Sequence, residues 1–196
     1  MILPAQRPRQ WLLAHVAPLP RHPRTALAIV ALFLFGAVAV RADQPVSGSR
    51  SAREALTLCA SADSAPPADR LSILSLGQQR AEEAVRENSR DPVAHFAVFC
   101  NLGKRVEIRR ATHGFLVVLG DLGRIRREID YTLALAPNYP AALAAKGQML
   151  MELPVVFGGD PQEGQGLLRR AASLDPNDSQ IRSLLADSLE AARDTR

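Results

Sequence analysis

From residue 51 onward apolar positions fall at three- and four-residue steps, in runs closed by proline, glycine or short polar side chains. That period predicts amphipathic helices. A first helix is expected near Ser51 to Ala62, followed by a loop around Pro66-Pro67. Asp69 is placed to cap a second helix that runs to about Asn88, with Leu74, Ala81, Ala84 and Val85 on one face. Asp91-Pro92 puts a capping acid before a first-turn proline, and the third helix runs through Phe96, Phe99, Cys100 and Leu102 to about Val106. Between Gly114 and Gly120 lies an apolar run, Phe115 to Leu119, which either starts the fourth helix or is a buried connector. The fourth helix ends near Leu135. Asn138 is expected to cap a fifth over Pro140 to Glu152, broken by Pro154 and Gly158-Gly159. Asp160-Pro161-Gln162-Glu163 combines a capping Asp, an initial Pro and a Glu at the third position, so a sixth helix runs to Leu174. The seventh, from about Asp178 to Ala192, carries Ile181, Leu184, Leu185, Leu189 and Ala192 on one stripe. Arg182, Asp187, Glu190 and Arg193 lie opposite.

The elements repeat. A helix opening at Asp91-Pro92 belongs to a unit that closes at Leu135-Ala136-Pro137, and the next unit begins at Tyr139-Pro140 and closes at Leu174-Asp175-Pro176. Phe99, Leu102, Gly103 and Val106 share a spacing with Leu143, Gly147 and Leu150, and Gly164, Leu168, Ala171 and Pro176 follow in the second helix of the later unit. The pattern resembles the tetratricopeptide repeat over about residues 51–195. It implies an all-α array of about three helix pairs plus a C-terminal capping helix. The prolines at 92, 137 and 176 give spacings of 45 and 39 residues, longer than the family's usual repeat. The excess falls at 109–120 and 154–160. The resemblance implies that Gly103, Gly147 and Ala171 are small because neighbouring helices approach there. It makes Gly147→Leu disruptive and Gly147→Ala near neutral. Gly159 is expected to matter through a positive φ.

Upstream, Thr25 to Val40 is sixteen residues without a charge, preceded by Arg21 and Arg24 and by no acid. This is the pattern of a secretory signal, with Val40-Arg41-Ala42 as a cleavage site. The alternative is an uncleaved anchor in the inner membrane through residues 25–40. Positive flanking charge then leaves the rest of the chain on the outer side. Five prolines upstream oppose a mitochondrial presequence. Residues 1–42 form the leader, 43–50 a polar linker, and 51–196 the helical domain.

The pI of 9.7 points at first to an anionic partner. Residues 1–42 hold five Arg and no acid, leaving 19 Lys plus Arg against 20 Asp plus Glu in the remainder. The charge argument for nucleic acid therefore fails. A local basic run remains at Lys104, Arg105, Arg109, Arg110, Arg124, Arg126 and Arg127. It is read either as a patch for an acidic protein or headgroup, or as a solvated helix face. Cys59 and Cys100 sit on the first helices of neighbouring pairs, and outside the cytoplasm they are expected to pair. The alternative is two buried thiols. His95 and His113 stand without metal-ligand spacing, and no nucleophile, phosphate-loop or haem motif is present. No metal, cofactor or catalytic residue is expected.

These readings converge on a non-catalytic scaffold outside the cytoplasm. By the tetratricopeptide resemblance, Ala97, Lys104, Glu107, Ala144, Gln148 and Met151 face a protein or peptide partner on the concave, first-helix side. The phrase LP-x3-GGDP (153–161) is also similar to periplasmic repeat proteins that accompany solute-binding-protein-dependent (TRAP-type) transporters, which implies an accessory role in such a system. Those proteins often carry a lipid-anchored Cys, and none directly follows the apolar stretch here. A small enzyme with an unrecognised site is the reading from another class.

Overall fold

The computed structural model describes residues 46–114 and 119–194. The described residues form seven α-helices and one short 3-10 turn, with no strand among them. The helices are α1 (Arg50–Ser64), α2 (Pro67–Glu87), α3 (Pro92–His113), α4 (Leu119–Leu135), α5 (Pro140–Glu152), α6 (Pro161–Leu174) and α7 (Ser179–Asp194). The 3-10 turn is Val155–Phe157. Three antiparallel pairs, α1/α2, α3/α4 and α5/α6, stack in chain order, and α7 closes the array against α6 and α5.

Capping sets most helix starts. Asp91 Oδ1 accepts from the amides of Val93 and Ala94 at 2.9 and 3.2 Å. Asp160 Oδ1 does the same for Gln162 and Glu163, and Asp178 Oδ1 for Gln180 and Ile181. Each cap contributes on the order of 1 kcal/mol. Two expected caps are absent. α2 begins at Pro67 and leaves Asp69 within its first turn, while the residue before α5 is Tyr139. Asn138 Oδ1 instead accepts from the Arg170 guanidinium. α3 also outruns its expected end at Val106 by seven residues, to His113. Nothing between Val106 and Gly114 stops a helix, and Gly114 then takes φ 80°. The apolar run Phe115 to Val118 lies outside the described residues, and α4 begins at Leu119.

Residues 46–49 are not a free linker. Val46 packs against the cluster of Ala52, Ala84 and Val93. The Ser49 amide donates to Asp91 Oδ2 at 2.8 Å, and Ser49 Oγ accepts from Ala52 N to cap α1. Asp91 thus holds the start of α3 and the segment entering α1 together.

The first two pairs are joined through small residues. Ala52, Ala55, Cys59 and Ala62 form the buried stripe of α1. Asn101 of α3 is fully buried, and its Nδ2 donates to the carbonyls of Ala55 and Ala97 at 3.0 and 2.9 Å. Its Oδ1 sits where a Cβ on Gly77 would come within 2.1 Å, so Gly77 is the close-approach glycine here. Gly103 is not, because a Cβ there would meet nothing within 4 Å. The Cys59–Cys100 disulfide completes the α1–α3 junction, with Cα atoms 6.2 Å apart.

Between α3 and α5 large rings replace the small residues. Phe96 meets Tyr139 edge-on at 5.1 Å and stacks with Phe99 at 6.0 Å, beside Ile129 and Ala142. Burial pushes the Tyr139 phenol up to about 12, and the Asp91 carboxylate adds to the effect. The fold therefore favours the neutral ring. This contribution is complete below pH ~10 and is lost as pH rises through about 12. In Tyr131→Phe, which leaves one tyrosine, 295 nm absorbance should titrate near pH 12 or together with alkaline unfolding. A midpoint at ~10 in the folded protein would place Tyr139 in water.

Inside the last pair, Gly147 and Gly164 pack backbone to backbone. A Cβ on Gly147 would lie 2.8 Å from Gly164 O and 3.1 Å from Leu168 Cγ, and one on Gly164 would lie 2.6 Å from Gly147 O. The near-neutral expectation for Gly147→Ala is therefore corrected. The obstacle is a helix carbonyl, which has no rotamer to vacate. Against a helix-propensity gain of ~1 kcal/mol, overpacking of about 1–3 kcal/mol wins. Gly147→Ala should be destabilising by about 1 kcal/mol, and Gly103→Ala should stabilise by about 0.5–1 kcal/mol. Thermal melts by circular dichroism test the pair, and equal shifts of one sign would refute the packing register.

Candidate functional site

Two regions carry polar side chains in defined arrangements. The first lies on the exposed side of the first helices. Glu107 and Arg110 on α3 pair at 2.5 Å, and on α5 Gln148 Nε2 donates to Glu152 Oε1 at 2.7 Å. The hydrogen bonds that Arg110 donates to the Glu107 carboxylate, with the charge of Glu107, hold its guanidinium above its ordinary value, and the charge of Glu152 on α5 adds to this. In return Arg110 holds the Glu107 carboxyl below its ordinary range, against the opposing effect of burial. Four exposed polar side chains are thus paired within their own helices, two on α3 and two on α5. On the same two helices, Phe99 and Met149 pack against the cluster of Phe96, Ile129 and Ala142.

Of the six residues assigned to a partner, Glu107 and Gln148 lie on this face and are exposed. Lys104 is half-buried, its Nζ bonded to Asp63 Oδ2 at 2.6 Å and to Cys59 O at 3.0 Å. Ala97 and Ala144 are buried and cannot meet a partner. Met151 packs against the Leu143–Leu168 cluster. Neighbouring helices cover both: Ala97 packs with Ala55 and Ala81, and Ala144 with Leu168 and Ile181. Sequence reasoning missed Glu152, although its four-residue offset from Gln148 on one helix was a usable signal.

The second region is a cavity of about 580 Å³ where the α2–α3 turn meets α4. His95 forms its inner wall. Its Nδ1 faces Glu128 Oε2 at 2.7 Å and its Nε2 faces Ser89 O at 3.0 Å, while its ring meets Tyr131 edge-on at 4.6 Å. Both ring nitrogens meet acceptors, so no lone pair points into the cavity for general-base work. The pair clamps α4 to the turn. The clamp continues as a chain of contacts, from Glu128 to Arg124 at 3.8 Å and from Arg124 to Glu82 at 2.6 Å. Burial alone would raise the Glu82 carboxyl. Hydrogen bonds from Gln78 and Arg124, with the charges of Arg124 and Arg86, outweigh it and hold Glu82 below its ordinary value. The contribution of Glu82 is therefore present near neutrality and lost as pH falls through that lowered value.

This network resolves the basic run. Arg105 reaches Gln78, Arg109 pairs with Asp121 at 2.8 Å, and Arg124 bridges Glu82 and Glu128. Arg126 donates to Gly158 O at 2.5 Å. With Lys104 and Arg110 paired as above, six of the seven cations have partners inside the fold. The reading of all seven as one open patch is corrected. Helix α3 is longer than expected, and its basic residues meet acids on α1 and α4 and the Gln78 amide on α2. Arg127 is the exception.

Glycines and caps account for the LP-x3-GGDP phrase. Gly158 takes φ 77° and ψ 31°, and Gly159 packs on Leu153 O. The Asp160 amide donates to Leu150 O at 2.9 Å. The positive φ therefore belongs to Gly158, while Gly159 is needed for close approach. His113 is exposed at the end of α3, and no group of three or more His, Cys, Asp or Glu able to hold a metal occurs among the described residues. No protein-family model matches the chain, and no curated protein matches it.

Proposed function

We propose that this chain is a tetratricopeptide-type scaffold that works outside the cytoplasm and binds a protein partner on its first-helix face. The observation that carries the reading is the stacked hairpin array. Such arrays present continuous surfaces built from successive first helices and commonly hold other proteins. Here that surface carries exposed polar groups, Glu107 and Arg110 on α3 and Gln148 and Glu152 on α5. Mixed charge of this kind suits a polypeptide better than a polyanion.

Export rests on the leader pattern of residues 1–42 and is supported by the Cys59–Cys100 disulfide, a bond that persists in oxidising compartments. Among the described residues no helix is long and apolar enough to cross a membrane. The leader, cleaved or retained, places the helical domain on the outer side.

A photo-crosslinking amino acid at position 107 or 148 should capture a polypeptide in the native host. The same group at Gln79, an exposed residue of α2, should not. Equal capture from all three positions, or capture from Gln79 alone, would reject this face. A periplasmic reporter fused after Ala42 should be active. Activity of a cytoplasmic reporter there, with the periplasmic one silent, would reject export.

A further inference from the structure

Arg127 makes no hydrogen bond or ion pair among the described residues, although every carboxylate near it is matched. Glu128 is held by His95 and Arg124, and Asp130 by Lys146 Nζ at 2.7 Å. Arg127, Glu128, Asp130 and Tyr131 all line the 580 Å³ cavity. Each of those acids thus has a partner on α3, α4 or α5, and Arg127 is left as the charged lining residue without one among the described residues. Tyr131 is 45% exposed, and its ring is held edge-on by His95. Ala134, one turn further along α4, extends the apolar wall.

We infer that this cavity is a second recognition site, taking a carboxylate carried on an apolar body, with Arg127 binding the anion and Tyr131 and Ala134 receiving the hydrocarbon. A guanidinium matches a carboxylate bidentately, and a ring already fixed by packing has little freedom left to lose on binding. A doubly charged ligand fits less well, because Glu128 and Asp130 stand beside the same cation. The site lies on α4 and the α2–α3 turn, away from the row of Glu107 and Gln148. It rests on the binding role proposed above only in taking the carboxylate from a partner polypeptide, as its C-terminus or as an acidic side chain.

The test needs no partner. The full-length chain, labelled with 15N, is titrated with N-acetyl-leucine, with the 1-amide of N-acetyl-glutamate, and with neutral N-acetyl-leucine amide. At least one of the two acids should shift the amide signals of Arg127, Tyr131 and Ala134 saturably, with Kd on the order of 1 mM, and the neutral amide should not. Tighter binding of N-acetyl-leucine identifies a C-terminal carboxylate, and tighter binding of the glutamate derivative identifies a side chain. Arg127→Ala removes an exposed, unpartnered group, so the fold and its melting temperature should persist while carboxylate binding weakens about tenfold. Three results overturn the site: no saturable shift with either acid, equal shifts with the neutral amide, or unchanged binding in Arg127→Ala. Failure of the crosslinks at positions 107 and 148 would leave these outcomes untouched.

Discussion

Gly159→Ala should lower the melting temperature by about 10 °C, corresponding to roughly 3 kcal/mol in a domain of this size. A Cβ at this position would lie 1.7 Å from the carbonyl oxygen of Leu153 and 3.1 Å from that of Leu150. Relief requires the turn to move by more than an ångström. That movement would break hydrogen bonds from the amides of Gly159 to Pro154 O and Asp160 to Leu150 O, and would displace the cap on α6. Overpacking and lost hydrogen bonds each cost about 1–3 kcal/mol, so the two together set the estimate. Gly158→Ala should be milder. Its left-handed backbone costs a non-glycine residue about 1–2 kcal/mol, and the group in its way is the end of the flexible Arg126 side chain. Melts of the two variants, followed by circular dichroism, test the order. If Gly158→Ala is the worse, backbone conformation governs the turn, and the contact with Leu153 is not the constraint.

Reduction of the Cys59–Cys100 bond should cost about 4 kcal/mol, since its 41-residue separation closes a long loop in the unfolded chain. A melting temperature lower by about 15 °C follows. The loss should be concentrated in α1, because stacked helical arrays are held by nearest-neighbour interfaces. Cys59 is buried on the stripe through which α1 meets α3. Hydrogen exchange in reduced protein, or in the double variant Cys59→Ala/Cys100→Ala, should rise first in α1 and α2 while α5 to α7 keep their protection. Protein purified without reductant should show no titratable thiol after denaturation. Two titratable thiols there, or a melt unchanged by reduction, would remove the bridge from the account.

The functional row on α3 and α5 was partly legible in the chain. The tetratricopeptide resemblance assigned Glu107 and Gln148 to the first-helix surface, and both are exposed. It failed at Ala97 and Ala144, where the repeat register pointed to solvent. A register read from a repeat fixes the angular position of a residue on its own helix, and says nothing of how closely the next helix approaches. The same gap explains Gly103 and Gly77. Both are helical glycines, and what separates them is the buried Asn101 lying against Gly77 and open space beside Gly103.

By itself the sequence determined the number and order of the described helices, the starts set by Asp91, Asp160 and Asp178, and the apolar faces of α2 and α7. Those features are local: a capping oxygen reaches amides two and three residues on, and an apolar stripe repeats every three or four residues. It also brought Cys59 and Cys100 to neighbouring helices, because stacking in chain order follows from short connections. Only the tertiary structure decided which cations are matched. Arg124 meets Glu82 from 42 residues away and Lys104 meets Asp63 from 41, whereas Arg127, next to Arg126 in sequence, lines a cavity and has no partner among the described residues. Ion pairing depends on where whole helices come to rest, and that is fixed by the summed packing of Ala stripes, aromatic rings and backbone contacts along the entire array.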